Sequence, residues 1–335
     1  MDLTFVDILA AQKAISGKVV RTPLLPSRFL SETAGVPFHL KMETMQPTGA
    51  FKLRGATNAA QNVDPGTNTL TCCSTGNHGR SVAYAARELG LKAVICMSSL
   101  VPKTKIDGVR ALGAEVRIIG TSQDDALAEC RRIGNEPGVA DISPFDDPHV
   151  IAGQGTIGAE VLEDLPDLRT LLIPLSGGGL AAGVALAAKT INPGIRVIGL
   201  TMDRGAAMHA SIAAGHPVEV PEVASLADSL GGGIGLENRL SFRMCRDLLD
   251  DIVLVSEEEI YRGMQALYYE DSHVAEGACA VGIAACLAGK LPDLEGPVAT
   301  IITGRNVDMN QFTSIVSGQD ILLGDYLLKG AAYAP

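Results

Sequence analysis

The segment Gln46-Pro-Thr-Gly-Ala-Phe-Lys-Leu-Arg-Gly55 places one lysine, Lys52, directly after an aromatic ring, Phe51, at the start of a predicted helix. Gly49 and Gly55 stand on either side of the pair. An amine attacks a carbonyl only when neutral, and close backbone with an apolar ring disfavours the charged form. The chemistry open to Lys52 is therefore a Schiff base with a carbonyl compound. A solvated lysine on a helix surface is the plainer alternative, so the segment has to be read with the glycine-rich turns downstream.

Ser176-Gly-Gly-Gly-Leu180 lies between a predicted strand, 170–175, and a predicted helix, 180–189. Missing side chains let the backbone N–H groups of Gly177, Gly178, Gly179 and Leu180 approach an anion, and the helix start adds partial positive charge. That is the physical logic of a phosphate loop. Gly177, Gly179 and Gly183 also fit a loosened dinucleotide pattern, which wants an acidic residue ending the next strand; Asp203 lies just beyond it. Tight packing is a third use for three glycines.

Ser74-Thr-Gly-Asn-His-Gly79 is a second predicted strand-to-helix turn. Its N–H groups suit a carboxylate, Asn77 offers an amide to a cofactor oxygen, and Thr75 offers a hydroxyl for proton transfer or orientation. A helix-capping turn is the competing reading, and a structural role is the expectation for His78. Thr303 ends the last predicted strand, where its hydroxyl could face a ring nitrogen. Glu276 leads into a helix at Gly277, where a surface acid is the plain alternative.

These turns need a scaffold of strands and helices. From about residue 70, strands at 70–73, 93–97 and 115–119 alternate with helices at 81–89, 103–112 and 122–132, a βαβ block with right-handed crossovers expected. A second series runs through a helix at 156–164, the strand and helix around the 176–179 loop, and a strand at 197–201. It continues with a strand at 252–255, a helix opened by a Ser256–Glu259 capping box, a helix at 278–288, a strand at 298–303 and a helix after Asp308. The stretch 215–238, with Gly231-Gly-Gly233, reads as an ordered functional loop. The expected organisation is a large domain of residues 1–65 and 149–325, a smaller mobile domain of 66–148 inserted in it, and a C-terminal tail of 326–335. A cleft between two such blocks favours a small-molecule site.

Composition narrows the function class. Hydrophobic residues make up 47% of the 335 and charged ones 19%, with no tryptophan, which suits an Ala/Val/Ile/Leu core around helix-covered parallel sheets. The net charge of −11, without a basic cluster, argues against nucleic-acid and membrane-surface partners. Seven cysteines without C-x-x-C spacing read as reduced thiols, and the start Met1-Asp-Leu-Thr-Phe-Val-Asp7 lacks a secretory signal pattern, so a cytoplasmic protein is expected.

Taken in order, Lys41-Met-Glu43, Thr48–Ala56, Ser74–Gly79, Gly153-Gln-Gly-Thr156, Ser176–Leu180 and Thr303–Asn306 resemble the fold type II pyridoxal-phosphate enzymes, within them the serine/threonine dehydratase and serine racemase group. The resemblance covers residues 5 to 316. Phe145-Asp-Asp-Pro-His149, Met202-Asp-Arg-Gly205 and Gly304–Met309 make it most similar to the hydroxyectoine-utilisation dehydratases. The resemblance implies an α/β two-domain architecture with mostly parallel sheets and pyridoxal 5′-phosphate bound to Lys52. It implies Phe51 and Glu276 beside the cofactor, Asn77 at its 3′ oxygen and Thr303 at its ring nitrogen. It further implies phosphate on Gly177, Gly178, Gly179 and Leu180, with Ser74, Thr75, Asn77, His78 and Arg305 around the substrate. Thr75 takes the place of the serine that is the second acid/base of serine racemases.

Departures from the pattern matter. Thr201 and Ala207 stand where metal-activated relatives carry acids, so no hard-cation site is expected. Ser229 replaces a common glycine, and Arg305 adds a large cation near the expected cofactor face. The reaction implied is dehydration and deamination of a β-hydroxy-α-amino acid, in hydroxyectoine breakdown or as a threonine/serine dehydratase or serine racemase, by a homodimer. Two different readings stay open at this stage: a nicotinamide-dependent oxidoreductase using Ser176–Gly183, and a non-catalytic amino-acid-binding module.

Overall fold

The structure is a computed structural model and describes residues 3–74, 76–99, 101 and 103–334. The N-terminal part supplies α1 (Phe5–Ile15), β1 (Leu24–Pro26), α2 (Arg28–Ala34), β2 (Phe38–Lys41) and α3 (Lys52–Gln61). Next come β3 (Thr69–Cys73), α4 (Asn77–Glu88), β4 (Lys92–Met97), α5 (Lys103–Arg110), β5 (Glu115–Ile118), α6 (Gln123–Gly134) and β6 (Val139–Asp141). The chain then runs through α7 (Pro148–Asp164), β7 (Thr170–Pro174), α8 (Gly179–Ile191), β8 (Arg196–Met202), α9 (Ala207–Ala214), α10 (Leu240–Leu248) and β9 (Asp251–Val255). It closes with α11 (Glu257–Tyr269), α12 (Gly277–Leu287), β10 (Val298–Ile301), α13 (Met309–Val316) and the strands β11 (Ile321–Leu323) and β12 (Tyr326–Leu328).

The α/β expectation holds. One sheet has the order β1-β2-β10-β7-β8-β9, parallel throughout except for the antiparallel edge strand β1. The other, β5-β4-β3-β6, is entirely parallel and is built from consecutive strands between residues 69 and 141. Parallel pairing needs long crossovers, and the intervening helices provide them. The strands β7 and β10 are buried along their whole length, as expected for a sheet covered on both faces.

Several glycines serve helix packing. A Cβ on Gly183 of α8 would sit 2.2 Å from the Ile151 carbonyl of α7, and one on Gly153 would sit 2.7 Å from the Cα of Gly55 in α3. Gly55 therefore lets α7 press against the helix that begins with Lys52; it is not a glycine of ligand approach. Gly183 likewise has a packing explanation in place of a dinucleotide one. Behind Lys52, Arg54 is fully buried and donates to both carboxylates that flank it, Glu43 at 2.7 and 2.9 Å and Glu160 at 2.7 and 2.9 Å. Lys41 adds a 2.7 Å bond to Glu160, so two cations and two anions share this pocket and tie α3 to α7 and to the turn after β2.

Two helices start earlier than expected. The helix expected from residue 81 already begins at Asn77, and the one expected from 156 begins at Pro148, where Asp147 caps it and proline occupies the first turn. The stretch 215–238 holds a short 3-10 turn, Asp228–Leu230. The C-terminal segment from 326 includes β12, which pairs antiparallel with β11, and Leu328 is fully buried.

Candidate active site

The turns singled out by sequence follow the C-terminal ends of parallel strands: Ser74–Gly79 after β3, Ser176–Gly179 after β7 and Thr303–Asn306 after β10. Ligands of open α/β sheets collect in that crevice.

The lysine segment is zipped against the last of these turns. Phe51 N–H donates to the Thr303 carbonyl at 3.0 Å and Arg305 N–H donates to the Gly49 carbonyl at 2.9 Å, around an Ala50–Gly304 bridge. Gly49 has φ +76°, a left-handed backbone, and a side chain there would also meet Arg305 and Asn306. Lys52 is the first residue of α3; its Nζ lies 5.3 Å from the Phe51 ring centroid and donates to the Pro144 carbonyl at 2.6 Å. Loss of hydration in this interior position lowers its pKa from 10.5 to about 8. A neutral amine is thus accessible under mild conditions, as a Schiff-base lysine requires.

Asn77, at the start of α4, is held at both ends of its amide. Its Nδ2 donates to Glu276 Oε1 and Oε2 at 3.0 and 3.1 Å, and its Oδ1 accepts from Asn306 Nδ2 at 2.6 Å. Glu276 also accepts from Ser229 Oγ at 3.0 Å and from Asn306 N–H at 2.8 Å. Burial raises the Glu276 pKa, against the lowering effect of those donors. The acid is therefore no surface residue: it is the hub of a buried polar knot.

His78 points elsewhere. Its Nε2 lies 2.7 Å from the Ile142 carbonyl, its Nδ1 is buried without a partner, and burial first, then the Lys52 charge, lowers its pKa to about 3. It is a neutral structural donor. Ser74 Oγ accepts from Gly76 N–H at 3.4 Å. Thr75 lies outside the described residues.

Sequence reasoning left the segment 142–147 out of the site, yet it joins Lys52 to the glycine loop. Pro144 takes the Lys52 bond. A Cβ on Gly177 would sit 2.3 Å from the Phe145 ring, and one on Gly179 would sit 2.7 Å from the Phe145 carbonyl. Gly178 has φ +91° and no side chain caps α8 there. Packing alone thus requires these glycines, while Leu180 turns its side chain into the core. The sequence signal was the turn-rich Ser143-Pro-Phe-Asp-Asp-Pro148, and it marked the strap without showing what the strap touches.

With this geometry in place, comparison with known proteins identifies the family. The family model for pyridoxal-phosphate dependent enzymes matches residues 15–304. The chain belongs to that family. A Sinorhizobium fredii protein provisionally named a threonine dehydratase is 52% identical over 319 residues, covering 95% of this chain and 96% of the relative. An L-threonine ammonia-lyase of Thermotoga maritima is 40% identical, over 94% of this chain and 78% of its own. The solved structure of maize serine racemase superposes with a TM-score of 0.88 at 31% identity, covering 94% and 97% of the two chains. This pyridoxal-phosphate enzyme is thus of fold type II, and the nicotinamide reading of Gly177, Gly179 and Gly183 is set aside. The residues present fit the cofactor: a desolvated amine at Lys52, a side-chain-free helix start at Gly177–Gly179, and an oriented amide at Asn77. Among the described residues there is no cluster of three or more His, Cys, Asp or Glu fit for a metal ion, and no helix long and apolar enough to cross a membrane.

Proposed function

We propose that the protein is a dehydratase, formally an ammonia-lyase, of a β-hydroxy-α-amino acid, with ring-opened, deacylated hydroxyectoine derivatives as its physiological substrates and threonine and serine as the simple members of the class. The observation that carries the reading is Lys52, an amine brought to a pKa of about 8 where Thr303, Asn77 and the strap to the glycine loop converge. The named relatives favour the same reaction class. Bound pyridoxal phosphate supplies an electron sink for the charge left when the α-proton departs. Lys52 would hold the cofactor, and as a free amine its Nζ would take that proton. Backbone amides at Gly177–Leu180 would hold the phosphate, Asn77 would serve the 3′ oxygen, and the Thr303 hydroxyl would face the ring nitrogen. Ser74, Thr75, Asn77 and His78 form the turn that receives the substrate carboxylate through its backbone. Arg305, exposed and lying across Gly49 beside Asn306, is proposed to meet an extra polar group on the substrate. A cytoplasmic homodimer is proposed as the working form.

The test is turnover of threonine, serine, 3-hydroxyaspartate and ring-opened hydroxyectoine derivatives side by side, scored by keto-acid and ammonia release. Faster turnover of threonine than of every derivative sinks the hydroxyectoine role; no turnover of any of them sinks the dehydratase. Likeness to maize serine racemase favours one second reading, racemisation of serine, which the same assays detect as D-serine.

A further inference from the structure

The glycine loop is held from behind. Gly177 carbonyl oxygen accepts from Ser241 Oγ at 2.8 Å and from Asn238 Nδ2 at 3.5 Å. Gly178 carbonyl oxygen accepts from Ala182 N–H at 2.8 Å and from Cys245 Sγ at 3.5 Å. In a planar trans peptide the C=O of one residue and the N–H of the next point in opposite directions. Tying the Gly177 carbonyl back onto α10 therefore turns the Gly178 N–H forward, and tying the Gly178 carbonyl does the same for Gly179. Two successive amides face the crevice because two successive carbonyls are occupied behind them.

The donor that does this is itself pinned. Ser241 is fully buried, and its Oγ also lies 3.0 Å from Asn238 Oδ1, which accepts from Phe242 N–H at 2.9 Å. The start of α10 is fixed by Asp146, whose carboxylate accepts from the N–H groups of Arg239, Leu240 and Ser241 at 3.1, 2.9 and 2.8 Å. Asp146 is in the same strap as Pro144, which takes Lys52, and Phe145, which covers Gly177 and Gly179. One short segment thus sets the distance between the amine and the phosphate loop.

We propose that Ser241, held in place by Asp146, is a positioning residue for the cofactor phosphate: its hydroxyl fixes the Gly177–Gly178 peptide so that the Gly178 amide is preset toward the anion. The inference rests on the reading of Gly177–Leu180 as the phosphate loop. Its signature is selectivity, since a preset amide matters to a ligand with a phosphate and not to one without.

Apoenzyme titrated with pyridoxal 5′-phosphate and separately with pyridoxal, followed by visible absorption, reads this directly, and phosphorus NMR of the bound ester reports its surroundings. Ser241→Ala is expected to weaken the phosphate ester about tenfold, because the Gly178 amide is no longer preset and its hydrogen bond to the charged ester weakens, and pyridoxal less than twofold. Ser241→Thr keeps the hydroxyl and is expected to restore selectivity, and Asp146→Asn to weaken the ester in the same selective way. Equal weakening of both ligands by Ser241→Ala, or no weakening, overturns the proposal; so does a Ser241→Thr protein that folds and stays unselective. Wild-type protein binding pyridoxal as tightly as the ester overturns the phosphate-loop reading itself, and the inference with it.

Discussion

Lys52 and Pro144 are joined directly: the amine that would carry the cofactor donates at 2.6 Å to a carbonyl in the strap leading from β6 to α7. The bond gives the ammonium one protein acceptor in a place where water is scarce. To act as a nucleophile Lys52 must lose a proton; the neutral amine can still donate one N–H to Pro144, so the strap helps to aim its lone pair.

The lowered Lys52 pKa fixes a pH dependence. Below about 8 the folded protein keeps a charged amine in a poorly hydrated place; above it the amine is neutral. Between about 8 and 10.5 the folded state therefore binds fewer protons than the unfolded state, and this group's contribution to stability rises with pH. Uptake of pyridoxal phosphate by apoenzyme should speed up through a midpoint near pH 8. Lys52→Met should form no lysine-linked visible chromophore. Its apoprotein should also resist denaturant better than wild type at pH 7, with the gap closing above pH 10.5. A wild-type uptake midpoint near 10.5 would contradict the desolvated setting.

His78 should be silent in the neutral range. Its Nε2 faces the Ile142 carbonyl and so carries the hydrogen, and burial holds the ring neutral down to about pH 3. Turnover measured from pH 5 to 8 should show no limb that His78→Asn removes. The unfolded ring protonates near 6.5, so this group's contribution to stability is lost as pH falls from about 6.5 to 3. His78→Leu should lower stability by about 1–3 kcal/mol, because the buried Ile142 carbonyl loses its donor. A clear ionisation near 6.5 that vanishes in the Asn variant would make His78 an active acid or base instead.

The buried quartet behind α3 makes a stability claim separate from chemistry. Removing Arg54 leaves Glu43 and Glu160 facing each other with Lys41 as the remaining cation beside Glu160. Arg54→Met should cost about 3–5 kcal/mol in chemical denaturation, the usual penalty for unpairing a buried charge. Replacing Arg54, Glu43 and Glu160 together by apolar residues of similar volume should recover much of that loss. Simple additivity of the single losses would show that the charges do not act as a unit.

The sequence made Lys52, the glycine loop and the alternating scaffold readable because each rests on local chemistry: a turn needing missing side chains, a strand run, a capping box. It was silent where the fold brings distant segments together. Gly55 stood out only as a glycine beside Lys52 and proves to be a glycine of helix contact, a fact that depends on Gly153 nearly a hundred positions away. Glu276 read as a possible surface acid because nothing near it in sequence announces Asn77 or Ser229. Phe145 and Asp146 were noted only as parts of a motif, since their partners, Gly177 and the start of α10, are revealed by topology alone. The hairpin β11–β12 is too short for a periodic pattern to show.

Asn77 and Glu276 provide the last test, of orientation. An amide can present either its oxygen or its nitrogen to a ligand, and the surrounding network decides which. Here Glu276 fixes Nδ2 and Asn306 fixes Oδ1, so the amide cannot flip without breaking both contacts. Glu276→Gln replaces one acceptor oxygen by a donor facing the donors of Asn77, Ser229 and the Asn306 backbone. The Asn77 amide would then lose its imposed orientation even though the volume is unchanged. Cofactor affinity should fall about tenfold, with a shift in the visible absorption maximum of the bound cofactor. Glu276→Asp keeps the acceptors on a shorter arm and should fall between wild type and Gln. Unchanged affinity and an unchanged spectrum in the Gln variant would mean that Asn77 is oriented by Asn306 alone, leaving Glu276 with a purely structural part.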